Sequence, residues 1–358
     1  MKKTIIISTG GTGGHVIPAT IIYEHLKADF EVLITTDSRG LKFLSFEKYN
    51  PIIFNTPNLK KNFILFPIKL FLLFTLILKS LLFFKKKNVD TLVSTGGYMS
   101  LPLIISARIL GLNIYLFEPN MVLGRANNFF IKHCKKIFCY SNEIINFPEK
   151  YLKKIVIIDN LVRKEFYSIE KSKKTELKDE IKILIIGGSQ GAKLFDTELR
   201  NALLNMSTKY KLNVFHQINS TQNLDLENFY KQNNIVHNLF NFKENILKLI
   251  INIDLCITRA GASTLSELFF LNIPFLAIPY PLAVDDHQFQ NALFYKKKNC
   301  CWVLKEDEIK HNVLSDFLIN IIQNKNDYIL KKENMKKFSY QNSWNKINEK
   351  LVGIINEN

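Results

Sequence analysis

Thr4-Ile5-Ile6-Ile7-Ser8-Thr9-Gly10-Gly11-Thr12-Gly13-Gly14-His15-Val16-Ile17-Pro18-Ala19 opens the chain with a short β-branched run, a glycine loop and a helical segment. A run that is apolar on both faces is the kind of strand buried inside a parallel sheet, and glycines at its end permit a tight turn into a helix. The same order recurs twice. Thr91-Leu92-Val93-Ser94-Thr95 leads into Gly96-Gly97-Tyr98, and Ile181-Lys182-Ile183-Leu184-Ile185-Ile186 leads into Gly187-Gly188-Ser189-Gln190-Gly191. Further apolar runs at 31–35, 113–117, 154–158 and 274–278 are separated by helical segments. Alternating β and α elements with glycine turns at strand ends predict an α/β protein built of doubly wound parallel sheets.

At about 150 residues per domain, 358 residues make two domains, each large enough for its own core. The stretch from Arg163 to Glu180 is rich in Lys, Glu and Ser and precedes the strand that restarts the pattern, so the boundary is expected there. The expected division is 1–163, 164–337 and a C-terminal amphipathic helix over 338–358, which carries Trp344, Ile347, Leu351 and Ile354 at helical spacing. Two Rossmann-like domains of this kind are expected to turn the carboxyl ends of their strands, and with them the glycine loops, toward a shared cleft.

Apolar residues make up 47% and charged residues 22%, which excludes a disordered or low-complexity chain. Lys and Arg total 48 against 32 Asp and Glu, a net +16, and six of the 48 are Arg. That surplus fits an anionic partner, although abundant Asn and Ile beside the Lys fit a general compositional bias equally well. Cysteines at 134, 139, 256, 300 and 301 form no C-x-x-C pair and no zinc spacing, which predicts reduced thiols in the cytosol. The charged start Met1-Lys2-Lys3 is followed by three isoleucines before polar Ser8. A signal peptide needs about seven or more apolar residues, so no secretion is expected.

A glycine loop between strand and helix lets backbone N–H groups approach a phosphate at a positive helix end. None of the three loops reads as a dinucleotide or P-loop fingerprint. Four motifs in fixed order carry more: Gly10 to Ala19, Gly96-Gly97-Tyr98-Met99-Ser100-Leu101-Pro102, Gly187-Gly188-Ser189-Gln190-Gly191-Ala192, and Arg259-Ala260-Gly261-Ala262-Ser263-Thr264-Leu265-Ser266-Glu267. Together with Asp285-Asp286-His287-Gln288 and Asn291-Ala292 they closely resemble the MurG family, the peptidoglycan UDP-N-acetylglucosamine transferases of glycosyltransferase family 28, over almost the whole chain. The resemblance implies a GT-B fold and an inverting transfer of N-acetylglucosamine from UDP to lipid I, giving lipid II for cell-wall synthesis. Two segments depart from the family. Asp159-Asn160-Leu161-Val162-Arg163 stands for Gly-Asn-Pro-Val-Arg, and Phe117-Glu118-Pro119-Asn120 for His-Glu-Gln-Asn, so that only Glu118 and Asn120 carry over there.

Such a transfer needs a base for the acceptor hydroxyl, a clamp on the uridine and positive groups for the departing diphosphate. No Asp-x-Asp pair occurs, so no metal and no cofactor are expected, and amides and helix dipoles must meet the diphosphate. His15 is suited to act as base, its alternative being a capping or acceptor-orienting histidine. A carboxylate at Glu267 is able to take both ribose hydroxyls, its alternative being a helix-dipole glutamate. The resemblance assigns the donor to Thr12, Gly13, Gly14, Asn120, Arg163, Ser189, Gln190, Glu267 and Gln288. It assigns the acceptor and its diphosphate to the loops of Gly10, Gly11, Gly96, Gly97 and Tyr98.

Between Lys60-Lys61 and Lys85-Lys86-Lys87 lies an apolar stretch whose longest charge-free run, Leu70 to Leu78, is nine residues against about 20 for a spanning helix. It is expected not to span. It reads either as buried core or as an interfacial element that sets Phe71 and Phe74 into a bilayer while Lys85, Lys86 and Lys87 meet anionic headgroups. The expected location is therefore the cytoplasmic face of the cell membrane, as a peripheral protein. Rival readings are a UDP-N-acetylglucosamine 2-epimerase or a glycolipid synthase on the same fold. A nucleic-acid binder lacks any supporting signature, so no nucleic acid is expected as a partner.

Overall fold

The run Ile5-Ile6-Ile7 lies at the centre of β1 (Thr4–Ser8), and all five residues of that strand are buried. In the computed structural model, residues 2–57, 65–169, 177, 179–187, 198–218, 223–241, 247–250, 252–309 and 312–357 are described. The chain divides into two units, Met1–Lys164 joined by Ser343–Asn358, and Glu165–Asn342.

In the first unit β1 is followed by α1 (Gly13–Leu26), β2 (Glu31–Thr36), α2 (Phe46–Tyr49), β3 (Ile52–Ile53), α3 (Phe66–Lys86), β4 (Val89–Ser94), α4 (Leu101–Ile109), β5 (Asn113–Glu118), α5 (Arg125–Phe130), β6 (Lys136–Cys139) and β7 (Ile155–Ile157). The seven strands lie in the order β3-β2-β1-β4-β5-β6-β7, and their pairings are parallel throughout. The chain builds outward from β1 to β3 on one side, then returns to build from β4 to β7 on the other. The order therefore reverses between β1 and β4, and the crevice beyond the carboxyl ends of those two strands is where such sheets bind ligands. The loops Gly10–Gly14 and Gly96–Tyr98 leave those two ends.

The second unit repeats the plan. Strands β8 (Glu180–Ile186), β9 (Lys211–Gln217), β10 (Val236–Phe240), β11 (Leu255–Thr258), β12 (Phe275–Ala277) and β13 (Trp302–Val303) lie in the order β10-β9-β8-β11-β12-β13, again parallel. Its helices include α6 (Glu198–Ser207), α7 (Asn223–Gln232), α8 (Ala262–Phe270), α9 (His287–Lys297), α10 (Val313–Gln323) and α11 (Lys325–Ser339). Its core is formed by Ile183, Ile185, Leu203, Val214, Ile257 and Leu318 among others. The reversal falls between β8 and β11, which are followed by Gly187 and by Arg259–Gly261.

Two expectations are corrected. The C-terminal helix runs over Trp344–Asn356, while Phe338 belongs to the last turn of the preceding α11, and its buried residues are Ile347, Leu351 and Ile355 in place of Ile354. It belongs to the first unit, where Trp344 stacks on buried His25 of α1 with ring centroids 3.6 Å apart. The second correction concerns the length of the apolar stretch, which forms α3, and not its peripheral reading. Lys69 and Lys79 interrupt its apolar run without ending the helix, so over 21 residues it is long and apolar enough to cross a membrane by length and composition. Pro67 in its first turn suits the start of a helix, where no N–H partner is needed.

The packing of α3 shows which of its faces is used. Leu73, Ser80 and Phe84 are buried, and the hydroxyl of Ser106 on α4 donates to the Ile77 carbonyl at 3.1 Å. The helix follows β3 and precedes β4, and both strands belong to one sheet. The opposite face is uncovered: Phe71 is 66% exposed and Leu82 70%, with Ile68, Leu70, Phe74 and Leu78 exposed between and beside them.

Candidate active site

The first glycine loop begins as β1 ends. Gly11 has φ +83°, a left-handed conformation that favours glycine, and α1 starts two residues later at Gly13. Thr12 is the N-cap, yet its hydroxyl makes no capping bond, and no acidic residue occupies the first turn of α1. The Gly13 and Gly14 amides lie in that first turn, where N–H groups have no intrahelical acceptor.

His15 projects from the same turn. Its Nδ1 lies 2.8 Å from the carbonyl oxygen of Thr95, at the end of β4. A carbonyl oxygen only accepts, so the neutral ring carries its proton on Nδ1 and leaves Nε2 with its lone pair outward. Gly96 and Gly97 border this ring with φ +93° and +82°. A Cβ on Gly96 would stand 3.2 Å from His15 Cε1, and one on Gly97 3.8 Å from Nε2. The two loops thus meet at the histidine.

Behind it, Glu118 closes β5 as a buried carboxylate. Oε1 accepts from the Asn120 amide and side chain at 3.1 and 2.9 Å, and Oε2 accepts from the Gly124 amide and the Asn127 side chain at 2.8 and 2.9 Å. Glu118 is therefore the organiser of the β5–α5 turn, and Asn120 is oriented by it. Asn127 Nδ2 reaches to 3.9 Å of the Cβ position of Gly96, which joins this turn to the histidine. Tyr98 turns its hydroxyl away, donating to the Thr56 carbonyl at 2.6 Å, and so offers the site its ring. Arg163 is half-buried and lies in the first unit, as do Thr12, Gly13, Gly14 and Asn120.

In the second unit Glu267 is buried one turn and more into α8. Gln288 Oε1 accepts from the Ala260 amide at 3.1 Å and the Tyr280 amide at 3.0 Å. This fixes the amide so that Nε2 is the end left to reach a ligand. Arg259 supports the same turn: its NH1 donates to the carbonyls of Ile278 and Pro279 and pairs with Glu306 at 2.7 Å. Asp285 and Asp286, just before α9, both hold left-handed backbone at φ 53°, a conformation that costs energy outside glycine. Ser189 and Gln190 lie outside the described residues.

Sequence reasoning missed Asp37, Arg39, Asn127 and Arg259 as site-builders. Asp37 had a readable signal, because an acid soon after the second strand is where dinucleotide folds place a ribose reader. Here it faces inward. Burial alone would raise its pKa, but the Gly11 amide, the Arg39 guanidinium and the Gly40 amide hold it below the usual carboxylate value. All five cysteines are buried, and burial pushes their thiols up, so none is a ready nucleophile. Among the described residues no group of three or more His, Cys, Asp or Glu is placed to hold a metal ion.

Two parallel-sheet units, with glycines at the strand ends beside each point of reversal, have the plan of the GT-B glycosyltransferase fold. The chain belongs to glycosyltransferase family 28: residues 5–139 match the family's N-terminal domain and residues 182–350 its C-terminal domain. It is 52% identical, over all of both chains, to the UDP-N-acetylglucosamine--N-acetylmuramyl-(pentapeptide) pyrophosphoryl-undecaprenol N-acetylglucosamine transferase of Pelagibacter ubique. The protein of that name from Rickettsia bellii is 34% identical over 90% of this chain and 92% of its own. Among solved structures, MurG of Acinetobacter baumannii superposes with a TM-score of 0.76 at 24% identity over all of both chains. A UDP-N-acetylglucosamine 2-epimerase gives 0.65 at 12% over 100% of this chain and 95% of that one, a likeness of fold alone.

Proposed function

We propose that this protein transfers N-acetylglucosamine from UDP-N-acetylglucosamine to lipid I, forming the β-linked disaccharide of lipid II. The observation that carries this reading is the 52% identity, end to end, with the Pelagibacter ubique transferase. In the mechanism, His15 takes the proton of the acceptor hydroxyl on Nε2 as that oxygen attacks the anomeric carbon of the donor. Its Nδ1–H bond to Thr95 holds the ring and stabilises the imidazolium that forms. The bond from the anomeric carbon to the diphosphate breaks, and UDP leaves. Glu267 accepts from the ribose hydroxyls, and Gln288 donates its Nε2–H to the sugar. Ser189, Gln190 and Arg163, with the Thr12–Gly14 turn and Asn120, meet the donor; for Ser189 and Gln190 the support is the sequence motif.

The uncovered face of α3 supports a peripheral site on the cytoplasmic face of an anionic membrane. Its apolar side chains enter the interface while exposed Lys85, Lys86 and Lys87 meet headgroups. A helix packed along its own domain with both ends tied to one sheet lies on a bilayer more readily than through it. An epimerase would have no use for such a face. The deciding assay is incubation with radiolabelled UDP-N-acetylglucosamine, with and without a lipid I analogue. Labelled disaccharide lipid is the expected product, and UDP release that ignores the acceptor would refute the reading.

A further inference from the structure

Asp37 and Arg39 follow β2 and are used by neither the base nor the donor contacts. Asp37 Oδ1 accepts from the Gly11 amide at 2.8 Å and the Gly40 amide at 2.9 Å, and Oδ2 accepts from Arg39 Nε at 2.8 Å and pairs with its NH2 at 2.6 Å. The pair is oriented: the Asp37 side chain is 6% exposed and that of Arg39 56%. The anionic end thus faces the protein and the cationic end faces solvent. One edge of the guanidinium is spent on Asp37, and the edge bearing NH1 has no protein partner among the described residues.

That guanidinium is held against both glycine loops of the first unit. Its NH2 lies 3.7 Å from the position a Cβ would take on Gly11, and its centre stands 5.5 Å from the centroid of the Tyr98 ring. Tyr98 is itself fixed by its bond to Thr56, so it serves as a shelf. A planar fork with one edge anchored and the other open, beside a helix start without acidic residues, suits a phosphate oxygen.

We propose that Arg39, set by Asp37 and Tyr98, binds the diphosphate of the acceptor. This rests on the transferase reading above. The donor also carries a diphosphate, and the assignment to the acceptor follows from the contacts of the Arg39 guanidinium with Gly11 and Tyr98, the two loops that the family resemblance gives to the acceptor.

The test compares two soluble acceptor analogues that differ only in whether a diphosphate or an uncharged linker joins sugar and chain. The wild-type protein should prefer the diphosphate analogue. Arg39→Gln should raise the KM for that analogue about 10-fold or more, leave the KM for the uncharged one and for UDP-N-acetylglucosamine within about twofold, and so erase the preference. Arg39→Lys, which keeps the charge and loses the fork, should restore part of it. If Arg39→Gln does not fold, a full preference in folded Arg39→Lys would overturn the proposal. So would a retained preference in Arg39→Gln, or a rise in donor KM instead. Failure of the wild-type protein to transfer to either analogue would overturn the transferase reading and this inference with it.

Discussion

The tautomer of the neutral His15 ring is set by one backbone atom, the Thr95 carbonyl, and the proposed chemistry depends on that choice. His15→Ala should lower kcat by about 10²-fold or more, as loss of a general base typically does, while UDP binding measured by calorimetry stays near wild type. Turnover close to normal would remove the histidine from the mechanism. Glu267 belongs to the other half of the reaction. Glu267→Ala should raise the KM for the UDP-sugar by about one to two orders of magnitude, the loss expected for hydrogen bonds to a charged group, with acceptor KM unchanged. Unchanged donor affinity would place the ribose clamp elsewhere. The placement of His15 and Glu267 was legible because each stands at a fixed offset from a glycine turn. Asp37 offered only its place after β2, because its partner is the Gly11 amide, 26 positions away and brought near only by the β1–β2 pairing. Gln288 was half legible: the motif pointed to it, but only the bonds from Ala260 and Tyr280 reveal which end of its amide is spent on the protein.

Among the elements, α3 separates two forecasts that the sequence left open. A buried phenylalanine is worth about 3–5 kcal/mol, so replacing two in a core would unfold the domain. Phe71 and Phe74 are exposed, and Phe71→Ser with Phe74→Ser should therefore leave Tm nearly unchanged while weakening binding to anionic vesicles. Changing Lys85, Lys86 and Lys87 to Glu should weaken it further and make it less salt-sensitive, since each basic residue near such a surface contributes about 1 kcal/mol. Co-sedimentation at low salt that matches wild type would dismiss α3 as an anchor. The strands with long β-branched runs were legible for a simple reason: in a parallel sheet covered on both faces, apolar character is continuous. Short strands such as β3 and β13, two residues each, carry too few side chains to leave a pattern. Helix ends were harder to read because the chain closes them with asparagine where glycine is more usual. Asn50, Asn88, Asn272 and Asn299 all have positive φ just beyond a helix.

For the molecule as a whole, the C-terminal helix makes the first unit depend on the end of the chain. His25, under Trp344, is buried, and burial, with the Lys164 charge adding to it against Asn348 and Glu24, holds its pKa down at about 4. The fold accepts the neutral ring, so this contribution is complete above about pH 6.5 and is lost as pH falls from there through about 4, up to about 3 kcal/mol. The denaturation midpoint should fall over that window, and His25→Phe should flatten the fall. His216 in the second unit, held down at about 3 by burial, keeps part of the slope. An acid limb identical in His25→Phe would mean that the ring under Trp344 titrates normally. The expected run of helix from Phe338 failed at this scale, because periodicity marks an apolar face without saying which body it covers. That arrangement also has a consequence for biosynthesis. The first unit leaves the ribosome first, yet its last helix is encoded after the whole of Glu165–Asn342. Domains usually fold in the order of their synthesis. Here the earlier one stays unfinished, with His25 of α1 lacking its Trp344 cover and the apolar side of α3 already made, until Ser343–Asn358 has been synthesised, so completion of the first unit waits on synthesis of the whole second one.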